Sequence, residues 1–250
     1  MKPVARLVTA AALAAGLMTS ACAYNEALGR NQVLIVDDSA LIQASNQAWA
    51  QAMNTQTVVR DAALNARLQR VGQRIVTAAG LTDRQWQYAV FREEQPNAFV
   101  LPGGQIGVTT GLLSLAANDD QLAAVIGHEV GHVVARHTAE RYSRTALTQT
   151  AIGVAQGAAG SRGQTVGQLG SVLGQYGLLL PHSRQQELEA DRLGIDYMAR
   201  AGYDARQAVI LWQAMASRGG AAAPEFMSTH PSDSTRIANI QRILQERGLA

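Results

Sequence analysis

The chain has 250 residues, 47% of them hydrophobic, which is enough for one sizeable core and, with no internal repeat, points to a single domain. The formal net charge is +2, and two of the cations, Lys2 and Arg6, lie in the first few residues, so the remainder is balanced and no nucleic-acid-binding face is indicated. A single cysteine excludes an internal disulfide framework.

Lys2 and Arg6 precede an apolar run, Leu7 to Met18, that is too short to span a bilayer. Thr19-Ser20-Ala21 then leads to Cys22. Residues 1–21 read as a signal peptide. Ser20-Ala21-Cys22 resembles a bacterial lipobox, in which Cys22 would be acylated and hold the protein to a membrane by a lipid anchor. Ala23 in place of Asp resembles an outer-membrane destination. The other reading is an ordinary secretory leader cleaved near Ala21 or Ala23. Residues 22–38 read as a polar tether.

Ser39 is the expected N-cap of a helix running to about Met53. Val58, Leu64, Leu68, Val71 and Ile75 fall on one helical face within 57–79, and Gly80 is the natural stop. Trp86 to Phe91 alternates as a half-buried strand does. Asn97 to Leu101 and Gln105 to Thr109 flank Pro102-Gly103-Gly104 and predict a hairpin. Its edge is either plain sheet or a place where an extended peptide adds as a further strand. A helix is expected over 111–117.

Asn118 or Asp119 should cap the next helix, expected to run to about Arg141. It contains His128-Glu129-Val130-Gly131-His132. At about 3.6 residues per turn, the two imidazoles share one face, one turn apart, and can take two corners of a zinc tetrahedron. Glu129 projects beside them as a general base for water. His137, five positions on, is about 140° round a straight helix and is expected to be structural or on the surface. The glycine-rich stretch 145–180 suggests a small-residue helical hairpin or a lid. Ser183 and Gln186 form a capping box that opens a helix to Ala201, followed by capped helices over 204–217 and 233–247, with a loop at 219–224.

A catalytic zinc needs a third protein ligand and an open corner for water. Glu187, in the first turn of the Ser183 helix, is the candidate. Asp191, one turn on, can accept the other ring N–H of a ligating histidine. Glu189 points about 200° away from Glu187 and is expected to be solvated.

The H-E-x-x-H stretch followed by Glu187-x-x-Ala190-Asp191 resembles the gluzincin peptidases of the CaaX prenyl protease, HtpX and Oma type. Asn97-Ala98-Phe99 with Leu101 to Gly104, the run His132 to His137, and His230-Pro231 with Arg236-Ile237 are similar to further signatures of that family. The nearest likeness is to its periplasmic LoiP- and BepA-like members, without the tetratricopeptide extension. The resemblance implies an α+β, mainly α-helical zincin-like domain over 39–250, with a small antiparallel sheet beside the metal helix. It implies one zinc ion per chain on His128, His132 and Glu187, with Glu129 as base and Asp191 behind the ligands. It implies that His230 steadies the oxyanion or caps the zinc, that Arg236 orients His230 or a substrate carbonyl, and that Asn97 holds substrate backbone. The implied function is a zinc endopeptidase on the periplasmic side of the cell envelope, acting on extended or misfolded protein segments. The alternative is a zinc-bearing outer-membrane assembly factor or holdase with little proteolysis.

Overall fold

The helix that carries His128 and His132 is apolar on almost every face, so it must be wrapped by protein on almost every side. The computed structural model describes residues 22–158, 182–217, 229–230 and 234–250. The expected leader, residues 159–180 of the glycine-rich stretch, the 219–224 loop and Pro231-Ser232 lie outside them.

In chain order the elements are strands β1 (Cys22–Asn25) and β2 (Arg30–Val33), helices α1 (Asp38–Thr55) and α2 (Ala62–Ala78), strands β3 (Gln87–Phe91), β4 (Ala98–Leu101) and β5 (Gln105–Thr109), then helices α3 (Thr110–Leu115), α4 (Asp119–Val134), α5 (His137–Ala158), α6 (Arg184–Arg200), α7 (Gln207–Ala216) and α8 (Ser234–Glu246). The metal helix is α4. Gln121 through His132 is buried without a break. Asn118 caps it by accepting from the Gln121 amide, and Asp119 and Asp120 sit at its positive end. The main core gathers α2, α4, α6, α7 and α8 around Leu122, Ile126, Leu211 and Trp212.

The most extensive packing between two elements is that of α4 on α6. Small residues permit it. A Cβ on Gly131 would stand 2.7 Å from the Ala190 carbonyl oxygen, and one on Gly194 would stand 2.9 Å from the His128 amide nitrogen. The backbones therefore touch with no side chain between them. Gly131→Val is expected to cost about 1–3 kcal/mol through forced separation of the helices, read as a lower denaturant midpoint at unchanged slope.

The expected hairpin is present as β4–β5. The sheet it belongs to is mixed, with order β3-β5-β4, because β3 pairs parallel to β5. Thr57 and Val59 bond along the outer side of β3, which shortens α2 relative to the expected span and moves its start to the Asp61 cap. β4 is the other edge strand. Trp49 of α1 packs edge-on to Phe91 and Phe99 and closes one face of the sheet.

Other local readings shift for physical reasons. Asp37, not Ser39, caps α1, since a carboxylate accepts from the Ala40 amide while the Ser39 hydroxyl donates to Asp37. Asp204 bonds to the Arg206 amide and guanidinium, and α7 starts at Gln207 without a side-chain cap. The first part of the glycine-rich stretch continues α5 to Ala158. No helix among the described residues is long and apolar enough to cross a membrane.

The segment 22–33 is not a tether. It is a hairpin with Asn25 opening the turn and Gly29 at φ 67 closing it. It docks on the end of α4: the Asn25 amide donates to the Val134 carbonyl and Gln32 to that of Ala135. These are carbonyls that a helix end leaves without intrahelical partners. Cys22, the first residue of β1, is exposed.

Candidate metal centre

The metal helix does not run on to Arg141. It stops at Val134, and Arg136 takes a left-handed conformation, φ 53, before α5 begins. Up to that break the face expected from spacing is intact. His128, Glu129 and His132 are 1%, 6% and 4% exposed. Their Nε2 atoms, where both are histidines, stand 3.0 Å apart.

The capping box of α6 is formed as expected and fixes the first turn that carries Glu187. Because α4 and α6 touch backbone to backbone, the Glu187 carboxylate reaches across the contact. It lies 3.4 Å from His128 Nε2 and 3.3 Å from His132 Nε2. His230 completes the set, with Nδ1 at 3.2 Å from both His128 Nε2 and Glu187 Oε1. The ligand atoms of these four residues all lie within 4.8 Å of one another. Glu129 flanks the cluster, with Oε1 3.3 Å from His230 Nε2.

The donor set fits zinc. Tetrahedral zinc with bonds of about 2.0–2.2 Å holds its donors about 3.3–3.6 Å apart, and the separations here run from 3.0 to 3.4 Å. The chemistry agrees with the distances. His128 Nδ1 lies 2.8 Å from Asp191 Oδ1, so that nitrogen carries the proton and Nε2 turns its lone pair to the cluster. Lone pairs and a carboxylate that converge in a buried space call for a cation between them.

The electrostatics point the same way. Burial pushes Glu187 up, but His128, His132 and His230 more than offset it and hold the group far below the usual carboxylate range. Burial and Arg236 oppose charge on His128, yet Glu187 and Asp191 outweigh them and raise it to about 9, so the two carboxylates favour positive charge there, which a proton or a metal ion can supply. Burial, with His182 alongside, pushes His132 well down. Burial raises Glu129, as suits a group that must take up a proton.

Arg236 is placed differently from expectation. It is 4% exposed, beneath the ligands, paired to Asp191 at 2.7 Å and to Glu187 at 2.8 Å, with its guanidinium 3.8 Å from the Trp212 ring centroid. It also approaches His128 at 3.1 Å. A cation pinned between two carboxylates has no reach to spare for a substrate carbonyl. Asn97, half-buried at the start of β4, uses Oδ1 to accept from the Ala98 amide.

Spacing also misplaces two residues. His137 is fully buried, and Glu189 is 14% exposed in its side chain rather than solvated. The break at Arg136 brings His137 back against His132, Nδ1 to Nδ1 at 2.8 Å, and Glu189 meets its far side. No signal in the sequence marks that break, since neither Gly nor Pro stands there.

A model of peptidase family M48 matches residues 62–244. The mitochondrial metalloendopeptidase OMA1 of Schizosaccharomyces pombe is 40% identical over 179 residues, 71% of this chain and 52% of that protein. The mitochondrial metalloendopeptidase OMA1 of Bos taurus is 31% identical over 238 residues, 87% of this chain and 45% of that protein. A putative beta-barrel assembly-enhancing protease of Vibrio cholerae is 31% identical over 195 residues, 74% of this chain and 40% of that protein. The chain spans about half the length, or less, of these relatives. The family match begins at the first residue of α2, ends within α8 and takes in every residue of the centre, and the chain belongs to peptidase family M48.

Proposed function

We propose that the protein is a zinc-dependent endopeptidase of the bacterial cell envelope that cleaves extended or misfolded protein segments. The observation that carries this reading is the close, buried donor set of His128, His132 and Glu187 with a buried carboxylate, Glu129, beside it. Those three residues would hold the metal. When bound there, zinc supplies Lewis acidity, acidifying water and polarising the scissile carbonyl. Glu129 takes the proton of the attacking water and passes it to the leaving amine. Asp191 fixes the His128 tautomer, and Arg236 holds Asp191 and Glu187 in place. His230, with Nδ1 3.2 Å from both His128 Nε2 and Glu187 Oε1, would cap a metal held by the other three residues, and a catalytic site would need it to yield a position to water.

Substrate would add to β4. The alternation of its pairing with β5 leaves the Val100 N–H and C=O and the Ala98 C=O on the outer edge. An extended segment can bond to those groups, whereas a folded domain cannot present a free strand. Asn97, at the head of the strand, would contact substrate backbone through its amide N–H groups. The leader and Cys22 support a lipid anchor at the outer membrane, facing the periplasm. A second reading, an assembly factor with little proteolysis, draws on the same His230: four protein donors make a closed set of the kind found in structural zinc sites.

The test is cleavage of unfolded casein by the purified full chain. Cleavage should stop on chelation and return with about one equivalent of zinc per chain. Undiminished cleavage by chelated protein that contains no metal would refute the reading. Zinc retention with no cleavage of any unfolded protein would favour the assembly factor.

A further inference from the structure

The side of His132 that faces away from the donor cluster is occupied by a chain of buried polar groups that reaches the surface at the amino-terminal hairpin. His132 Nδ1 lies 2.8 Å from His137 Nδ1. His137 Nε2 lies 2.9 Å from Glu189 Oε2. Glu189 is gripped by Arg30 of β2 through both carboxylate oxygens, at 2.6 and 2.8 Å, and also accepts from Gln185. Arg30 holds the buried Glu140 with its remaining face, at 2.9 and 3.0 Å.

The proton positions follow in one direction. Glu189, paired to Arg30, is an acceptor only, so His137 Nε2 carries a hydrogen. Neutral His137 then offers a lone pair at Nδ1. His132 Nδ1–H donates to it, which leaves the lone pair of His132 Nε2 aimed at the donor cluster. That is the tautomer a ligand needs, and it matches the arrangement at His128, where Asp191 plays the acceptor. The two zinc histidines are thus oriented by two separate supports, one from α6 and α8, the other running out to β2.

A metal shared among His132, His137 and His182 is the competing reading, since these residues offer ligand atoms within 4.8 Å of one another. The distance argues against it. The two Nδ1 atoms are at hydrogen-bond length, and a neutral His132 whose Nε2 lone pair serves the donor cluster has no second lone pair at Nδ1 for another ion.

We infer that His137, Glu189 and Arg30 are positioning residues for the metal ligand His132, so that the hairpin over residues 22–33 is part of the support of the metal centre. The inference rests on the zinc reading above. It goes beyond it in assigning a task to the amino-terminal segment, which lies outside the family match.

The experiment measures zinc affinity of the full chain by competition with a chromophoric chelator, zinc stoichiometry, and the visible absorption of the cobalt-loaded protein. Fold is checked by circular dichroism. Wild type and Glu187→Ala set the reference. If wild type binds no zinc, or Glu187→Ala binds it equally well, the zinc reading fails and this inference falls with it. With that reference in place, His137→Leu should weaken zinc by about 10–100-fold and shift the cobalt bands. His137→Gln, which can still accept from His132 and donate to Glu189, should recover most of the affinity. Glu189→Gln and Arg30→Met should each weaken zinc by up to about tenfold, and these two decide the matter if His137→Leu fails to fold. Folded variants with wild-type affinity and cobalt spectrum would overturn the inference. So would a second zinc equivalent that His137→Leu removes while the first is untouched.

Discussion

Glu129→Gln should lower kcat/KM for an unfolded protein substrate by about 10²–10⁴-fold, the usual contribution of a general base. Zinc stoichiometry should stay at the wild-type value, because Glu129 flanks the donor set and is not part of it. Glutamine has nearly the same shape, so packing is conserved. The variant should be at least as stable as wild type, since it replaces a buried carboxylate by a neutral amide. Paired measurements of turnover and metal content check this. Retained turnover would remove Glu129 from the chemistry. Lost zinc would make it a ligand instead.

Arg236→Met should have the largest effect on folding. The guanidinium is buried between Asp191 and Glu187, and removing it leaves two buried carboxylates without their cation. Breaking a buried pair by deleting one partner costs about 3–5 kcal/mol. The loss should be greatest in metal-free protein, where nothing else compensates Glu187. Zinc should therefore raise the stability of Arg236→Met by more than it raises that of wild type. Chemical denaturation of both proteins, with zinc and with chelator, gives the four values needed. Equal zinc stabilisation in the two would show that Arg236 and the metal site are not coupled.

The parts of the centre legible from sequence are those set by local periodicity. His128 and His132 share a face because a helix is regular, and Asn118, Ser183 and Gln186 mark where α4 and α6 begin. Glu187 and Asp191 follow from the capping box. What was not legible depends on departures from regularity. Arg136 turns left-handed with no glycine to announce it, and the angle that sent His137 outward assumes a helix that has already ended. Glu189 reads as solvated because its partner, Arg30, comes from a segment read as a tether. Asn25 and Gly29 were the available turn signal in that segment. Arg236 shows the limit of motif likeness: a position in a signature does not say which side of the ligands the side chain approaches.

The backbone contact between α4 and α6 has a consequence for the order of assembly. The donors come from distant parts of the chain: His128 and His230 are 102 positions apart, and His230 and Glu187 are 43 apart. Closing such loops carries an entropic cost before any contact between them can compensate. Two histidines make an incomplete donor set, and Glu187 can approach them because Gly131 and Gly194 let the two helices meet backbone to backbone. A bound metal would therefore link parts of the chain that are far apart in sequence. On the zinc reading, the third donor, Glu187, would join the two histidines only once α6 is seated on α4, so zinc uptake would report that this contact has closed.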